Sequence, residues 1–174
     1  TSVISTSGFS TTDYNLWPPF AQTILVLLMF VGGCSGSTAG SIKCGRILLL
    51  LRSSTRSLLR LSHPRAVRVV KLDGKVVDEE TLRTVSSFFL CFFALLGVGC
   101  LVVSLDGYSL TTSFTAALGC LSNVGPGLDL VGPMGNFGLL SGFNKVFLSL
   151  LMLIGRLEIF PILLLFLPST WRRS

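Results

Sequence analysis

The stretch that decides the fold is SLTTSFTAALGCLSNVGPG, residues 109–127. Its first part, residues 109–121, is apolar but holds only 13 residues, whereas a transmembrane helix needs about 20. The second part, SNVGPG at residues 122–127, combines glycine with proline and stops a helix. The pattern therefore predicts a re-entrant helix, which enters a membrane and ends at a non-helical loop.

The composition of the whole chain indicates a membrane protein. Half of the 174 residues are hydrophobic and 13% are charged, compared with about 25% charged in a soluble domain. The net charge of +6 is concentrated at residues 43–83, which hold ten Lys and Arg residues and four acids. Because cytoplasmic loops of membrane proteins are enriched in Lys and Arg, we expect this segment and the C-terminus to be cytoplasmic, with lipid and not nucleic acid as a partner.

Three further apolar segments are long enough to cross a membrane. Residues 84–105 are 22 residues without a charge, and residues 139–167 form a last span. Residues 20–51 are interrupted by GGCSGSTAGS at residues 32–41 and therefore predict one discontinuous helix. Asp73-Gly74, between β-branched runs, predicts a small cytoplasmic β-hairpin. The expected fold is an all-α membrane protein with a re-entrant helix, a broken helix and this hairpin.

Two short glycine-centred stretches adjoin these segments: TSGF at residues 6–9 and NVGP at residues 123–126. Non-helical backbone at membrane depth is tolerated only against protein or a water-filled cavity. There, free carbonyl oxygens can replace the hydration shell of a cation. The negative C-terminal end of the helix at residues 109–121 favours a cation at the same point. The alternative is a plain extracellular turn that follows an interfacial helix.

Four runs together resemble the Trk/Ktr/HKT family of potassium transporters, and in particular its TrkH-type pore subunits. The runs are SGFSTTDY at residues 7–14, GGCSGSTAGSIK at 32–43, LSNVGPG at 121–127 and GRLE at 155–158. The family builds one pore from four repeats of helix, pore helix, filter loop and helix. The resemblance implies that residues 1–61 are the third-repeat filter loop and broken inner helix, residues 62–83 a cytoplasmic hairpin and linker, and residues 84–174 the fourth repeat.

The resemblance also assigns roles to individual residues. The potassium-binding filter would comprise Thr6, Ser7, Gly8, Phe9, Asn123, Val124, Gly125 and Pro126. An intramembrane gating loop and its partners would comprise Gly32, Gly33, Gly36, Ser37, Thr38, Ala39, Gly40, Lys43 and Arg156. Three residues depart from the family pattern, because Ala39, Ser41 and Asp129 stand where glycine is usual. The first two suggest a stiffer loop, and Asp129 suggests an altered charge at the outer mouth.

Arg156 lies within the last predicted span, where a charge costs about 3 kcal/mol and is usually functional or paired. Glu158 is two residues further on, on another helical face, so the two side chains do not pair within the helix. One interpretation, which the resemblance supports, is that Arg156 faces the pore as an electrostatic barrier to cations. The other is a structural salt bridge to a different helix.

The resulting hypothesis is a pore-forming subunit of a potassium, or monovalent cation, uptake transporter in the inner cell membrane. We expect no enzymatic activity and no tightly bound cofactor, with K⁺ as the transported ion. The resemblance implies a homodimer and a cytosolic nucleotide-binding regulatory subunit. Since the sequence opens at Thr1 in a Ser/Thr-rich stretch, we expect a fragment whose remaining repeats lie upstream in the same protein.

A second hypothesis from another class is a non-conducting membrane scaffold, in which the glycines serve close helix packing. It rests on Gly36-x-x-x-Gly40, which matches the spacing that brings membrane helices together. The two hypotheses differ on Gly8 and Gly125. Packing glycines tolerate alanine with some loss of assembly, whereas filter glycines lose flux or ion selectivity in a protein that still assembles.

Overall fold

The computed structural model describes residues 1–34, 37, 40–62, 71–72 and 75–157. Its α-helices are α1 (Pro19–Val31), α2 (Cys44–Ser62), α3 (Glu79–Ser104), α4 (Leu110–Leu121) and α5 (Gly142–Arg156). Short 3₁₀ turns occur at Tyr14–Leu16, Asp129–Val131 and Phe137–Leu139. Two short strands, β1 (Lys71–Leu72) and β2 (Lys75–Val76), lie between α2 and α3.

Helix α3 is the one helix in the described part of the chain that is both long and apolar enough to cross a membrane. Its 26 residues extend for about 39 Å at about 1.5 Å per residue. The side chain of Asp78 caps its first turn by accepting a hydrogen bond from the Glu79 amide. This confirms the predicted span and the acidic start of the helix, where negative charge is favoured by the helix dipole.

Helix α4 confirms the short apolar helix predicted from residues 109–121. It has 12 residues, and the Ser109 side chain caps it by accepting a hydrogen bond from the Thr112 amide. Nine of its residues are buried, because α3 and α5 cover it. A methyl group added at Gly99 of α3 would lie 2.8 Å from Leu151 of α5 and 3.1 Å from Ala117 of α4. The three helices therefore meet closely at this glycine.

The predicted discontinuous helix is present as α1 and α2, and the residues at and just before the start of α2 are hydrogen-bonded to the end of α1 and the residues that follow it. The Ile42 amide donates to the Phe30 carbonyl at 3.3 Å, and the Cys44 amide donates to the Gly33 carbonyl at 3.1 Å. The prediction that helix resumes at Ile42 is wrong by two residues. Ser41 and Lys43 have φ angles of 71° and 64°, in the left-handed region that an α-helix cannot include.

The predicted hairpin is confirmed in its paired strands. β1 and β2 are antiparallel, with Lys71 opposite Val76 and Leu72 opposite Lys75. This register leaves a two-residue connection, as the Asp-Gly signal predicts. Residues 63–70 and the connection itself, residues 73–74, lie outside the described residues.

The last predicted span begins later than expected. Leu140 is extended, with φ −69° and ψ 152°, and the Ser141 side chain caps α5 by accepting a hydrogen bond from the Asn144 amide at 3.3 Å. The helix therefore begins at Gly142 and not at residue 139. It runs to Arg156, and residues 158–167 of the predicted span lie outside the described residues.

Candidate cation-binding and gating site

The two glycine-centred stretches share a backbone pattern. In the first, Thr6 and Gly8 have φ angles of 53° and 72°. In the second, Asn123 and Gly125 have φ angles of 56° and 96°. Left-handed residues at alternate positions exclude both helix and strand. After the roles that the resemblance implies, we call residues 6–8 the third-repeat filter segment and residues 123–125 the fourth-repeat filter segment.

The carbonyl oxygens of these two segments are unpaired. Among the described residues, none donates a hydrogen bond to the carbonyl of any residue in either segment. Val124 is buried and the other five residues are half-buried or exposed, and a buried backbone carbonyl without a donor is rare. Six acceptors without a donor are therefore available to an ion or to water.

The amide groups of the fourth-repeat filter segment are, in contrast, used. The Val124 and Gly125 amides donate to the Gly119 carbonyl at 2.9 and 3.2 Å, and the Asn123 amide donates to the Cys120 carbonyl at 3.1 Å. The partial negative charge at the C-terminal end of α4 thus meets the donors of the segment. The segment presents its carbonyls without competing donors, which suits a cation.

The structure brings the two filter segments into contact although they are far apart in sequence. A methyl group added at Gly8 would overlap the Val124 carbonyl oxygen and would lie 3.2 Å from Cδ of Pro126. Both segments border a cavity of about 340 Å³, which Gly8, Phe9, Val124 and Pro126 line together with residues of the outer turns. The Phe9 side chain itself is 85% exposed.

Of the residues predicted to form the gating loop, Gly40 lies against the beginning of the fourth-repeat filter segment. A methyl group added at Gly40 would overlap the Ser122 carbonyl and would lie 2.9 Å from Cβ of Asn123. Gly32, Gly33 and Ser37 are described between Val31 and Gly40, and Lys43 precedes α2. Gly36, Thr38 and Ala39 lie outside the described residues.

Ser41 has a role that its sequence position does not reveal. Its hydroxyl donates to the Met29 carbonyl at 2.8 Å and also to the Phe30 carbonyl, at the end of α1. The side chain is 6% exposed. Ser41 is therefore bonded to the end of α1 through its hydroxyl. This side-chain bond is a property of serine that a comparison with glycine does not reveal.

Arg156 lies in the last turn of α5, next to the contact between α5 and the fourth-repeat filter segment. A methyl group added at Gly155 would overlap the Leu121 carbonyl. The Asn123 side-chain amide donates to the Met152 carbonyl at 3.1 Å. Arg156 itself is exposed within the described part of the chain, and its backbone directly follows this contact between α5 and the fourth-repeat filter segment.

Sequence reasoning named Asp129 for its charge but missed the polar side chains that bind it. Hydrogen bonds from the hydroxyls of Thr112 and, second, Ser109 lower the pKa of the Asp129 carboxyl group. The pKa of Asp106 is lowered by the Ser141 backbone amide and, second, by the Asn144 side chain. Asp129 has a left-handed φ of 61°, which agrees with its standing at a position where glycine is usual.

Comparison with known proteins identifies the family of this chain. The family model described as "TrkH: Cation transport protein" matches residues 1–173. The chain is 37% identical to the Trk system potassium uptake protein TrkG of Escherichia coli, over 98% of this chain and 35% of that protein. It is 39% identical to the Trk system potassium uptake protein TrkH of Vibrio parahaemolyticus, with the same two coverages.

The structural comparison covers the same region. The crystal structure of the potassium transporter TrkH from Vibrio parahaemolyticus matches with a TM-score of 0.88 and 39% identity, over 98% of this chain and 36% of that one. This chain thus spans about a third of the length of the relatives it matches. The match confirms the all-α membrane fold. This chain belongs to the TrkH family of cation transport proteins.

Proposed function

We propose that the chain forms the end of the third repeat and the whole fourth repeat of the pore-forming subunit of a potassium uptake transporter. The observation that carries this proposal is the pair of filter segments. They share left-handed residues at alternate positions, touch each other and present carbonyls to which no described residue donates. A potassium ion that passes between such segments exchanges its hydration shell for carbonyl oxygens.

The filter residues of the proposal are Thr6, Ser7, Gly8, Phe9, Asn123, Val124, Gly125 and Pro126. The backbone carbonyls act on the ion, so the process needs no covalent chemistry and no tightly bound cofactor. Helix α4 contributes twice: its last carbonyls hold the amides of the fourth-repeat filter segment, and its C-terminal partial charge favours a cation.

The gate of the proposal lies below the filter. The segment that contains Gly40 contacts the Ser122 carbonyl, and this contact supports an obstruction directly beneath the fourth-repeat filter segment. Its remaining members would be Gly32, Gly33, Gly36, Ser37, Thr38, Ala39 and Lys43. Arg156 adds a positive charge near the same level, which raises the barrier for a cation until the obstruction moves.

The rest of the pore would come from repeats upstream in the same protein, because the chain spans about a third of its relatives. We place residues 1–61, 62–83 and 84–174 in the third repeat, the cytoplasmic linker and the fourth repeat. The subunit would be a homodimer in the inner membrane, with residues 43–83 and the C-terminus in the cytoplasm. A cytosolic nucleotide-binding regulatory subunit would bind on that side, where the basic residues are concentrated.

The scaffold hypothesis does not account for Gly125. A methyl group added there would have no heavy atom within 4 Å, so the glycine is not needed for close packing, but its φ is 96°. Gly40 lies outside any helix, so it is not half of a helix-packing motif. Gly99 and Gly155 do allow close helix contacts, as glycines in a transporter also do.

The test is rubidium or potassium flux through the full-length transporter in proteoliposomes, with Gly125→Ala compared with Gly97→Ala. A methyl group at Gly97 of α3 also has nothing within 4 Å, but Gly97 has no left-handed φ. Since a left-handed residue with a Cβ costs about 1–2 kcal/mol, we expect Gly125→Ala to lose about 5- to 30-fold in flux or in selectivity. Gly97→Ala should match the parent protein.

Two results would contradict the proposal. If Gly125→Ala conducts and selects ions as Gly97→Ala does, residues 123–125 are not a filter. If the folded parent protein moves no cation with its regulatory subunit and nucleotide supplied, the transport function is wrong and the scaffold hypothesis gains.

A further inference from the structure

One face of α4 binds the chain that follows the filter along its whole length. Ser109, Thr112, Thr115 and Gly119 are spaced three or four residues apart, so they share this face. Gly119 accepts from the fourth-repeat filter segment, and the Thr115 hydroxyl accepts from the Leu128 amide at 3.0 Å. The outermost contacts are made by Asp129.

Asp129 is attached to the beginning of α4 by its carboxylate. One oxygen, Oδ2, accepts hydrogen bonds from the Ser109 hydroxyl at 2.7 Å and from the Thr112 hydroxyl at 2.6 Å. The carboxylate also lies at a helix N-terminus, where a negative charge is favoured. Asp129 has a left-handed φ of 61°, a region that glycine favours and that aspartate tolerates better than most other residues.

The backbone of the same residue is attached to the third repeat by Asn15. The Asp129 amide donates to Oδ1 of Asn15 at 2.9 Å, and Nδ2 of Asn15 donates to the Asp129 carbonyl at 3.1 Å. The two residues are 114 positions apart. Gly132 makes room, since a methyl group there would overlap the Asn15 side chain.

Asn15 is itself fixed to the start of α1. Its amide donates to the Asp13 side chain at 3.0 Å, and its carbonyl accepts from the Gln22 side chain at 2.9 Å. Asp129 is therefore bound from two directions at once, by the pore helix of its own repeat and by the outer turn of the neighbouring repeat. The Gly8–Val124 contact joins the same two repeats at the filter itself.

We propose that Asp129 and Asn15 are positioning residues for ion selection, which set the spacing between the third-repeat and fourth-repeat filter segments from the outer side. This inference rests on the proposed transport function. It differs from a role of Asp129 as a surface charge that attracts cations, because the carboxylate is bound to hydroxyl donors and its backbone forms the link between repeats.

The experiment compares Asp129→Gly, Asn15→Ala and the double variant in the full-length transporter reconstituted in proteoliposomes. Glycine suits the left-handed φ, so Asp129→Gly removes the carboxylate without adding backbone strain. Asp106→Asn is the charge-matched control: it removes one outer carboxylate that binds Ser141 and not the filter region. The measured quantity is the potassium-to-sodium permeability ratio, at low and at high ionic strength.

We expect Asp129→Gly and Asn15→Ala each to lower the permeability ratio about 3- to 10-fold, the range that one or two hydrogen bonds supply. The loss should persist at high salt, because a change of geometry is not screened. The double variant should lose less than the product of the single losses, since both changes release the same link. Asp106→Asn should keep the parent ratio.

Three outcomes would overturn the inference. A decrease in the permeability ratio that disappears at high salt and also occurs in Asp106→Asn would identify a surface-charge effect. Unchanged selectivity in assembled Asp129→Gly and Asn15→Ala, or loss of assembly in both with normal selectivity in the remainder, would leave only a structural role. A parent protein that conducts without preferring potassium would instead refute the proposed function, and the inference with it.

Discussion

The two filter segments have one backbone pattern but different supports. The amides of the fourth-repeat filter segment are hydrogen-bonded to carbonyls of α4, and its Val124 residue is 3% exposed. The third-repeat filter segment is held by the few residues before it: the Thr6 amide donates to the Val3 carbonyl at 3.2 Å and the Ser7 amide to the Ser2 carbonyl at 3.1 Å. Ser7 is exposed.

This difference teaches that the conformation of a filter segment and its support are separate properties. In both segments the third residue is a glycine in the left-handed region, so the residue choice favours the same backbone. The first residue differs, since asparagine tolerates that region and threonine, being β-branched, does not. The third-repeat filter segment therefore carries more backbone strain on less support within the described residues.

The largest loss of flux should come from Gly8→Ala, because Gly8 lies where the two filter segments are in contact. The added methyl group would overlap the Val124 carbonyl and would also sit on a left-handed residue, whereas Gly125→Ala suffers only the second penalty. Backbone strain of about 1–3 kcal/mol and overpacking of about 1–3 kcal/mol together predict a flux loss of roughly 100-fold or more. Rubidium uptake, normalised to the amount of assembled transporter, measures this loss. A loss equal to that of Gly125→Ala would show that the contact is not important.

Substitution of the first residue of each segment should have a smaller effect, on the free energy of unfolding, and the effect should have opposite signs in the two segments. Thr6→Gly relieves strain and removes no side-chain hydrogen bond, so the free energy of unfolding should rise by up to about 1 kcal/mol. Asn123→Gly removes the bond to the Met152 carbonyl and should lower it by about 1 kcal/mol. Thermal unfolding of the purified transporter in detergent measures both. Shifts of the same sign would mean that the two segments are supported alike.

The smallest expected effect is on the pH dependence of stability. Of the two filter segments, the fourth-repeat filter segment is the one followed by a carboxylate, Asp129, that is bonded to the start of its helix. The pKa of Asp129 is lowered from its ordinary value of 3.8 by Thr112 and Ser109. Its stabilising contribution is therefore complete above pH 3.8 and is lost as the pH falls through the lowered value. We expect the unfolding temperature to depend less on acid in Asp129→Gly than in the parent. Asp106→Asn should reduce the acid dependence of the unfolding temperature independently, since the Asp106 pKa is also lowered.

Most of the fold followed from the demands of a lipid environment. The 13 apolar residues at 109–121 are too short to cross, and the uncharged residues 84–105 are long enough. Both predictions depend only on length, composition and a glycine–proline stop. The boundaries were less accurate: α2 begins at Cys44 because Ser41 and Lys43 are left-handed, and the sequence pattern contains no sign of those φ angles.

The candidate site could be predicted in its backbone but not in its supports. Glycines at positions 8 and 125 indicate left-handed residues by their type. Asn15 and Asp129, however, are ordinary polar residues 114 positions apart, and no local pattern relates them. Ser41 was interpreted only as a residue that replaces glycine, whereas the structure shows that its hydroxyl is hydrogen-bonded to α1. Side-chain partners distant in sequence are set by the packing of whole repeats.

The link between Asn15 and Asp129 also sets a time at which the filter can be completed during protein synthesis. At about 5–20 residues per second, the 114 positions between them take roughly 6–23 seconds to translate. During this interval the third-repeat filter segment already exists but lacks its neighbour. Under the proposed transport function, a chain whose synthesis stops between the two residues therefore has only one of these two filter segments and lacks the link that sets their spacing.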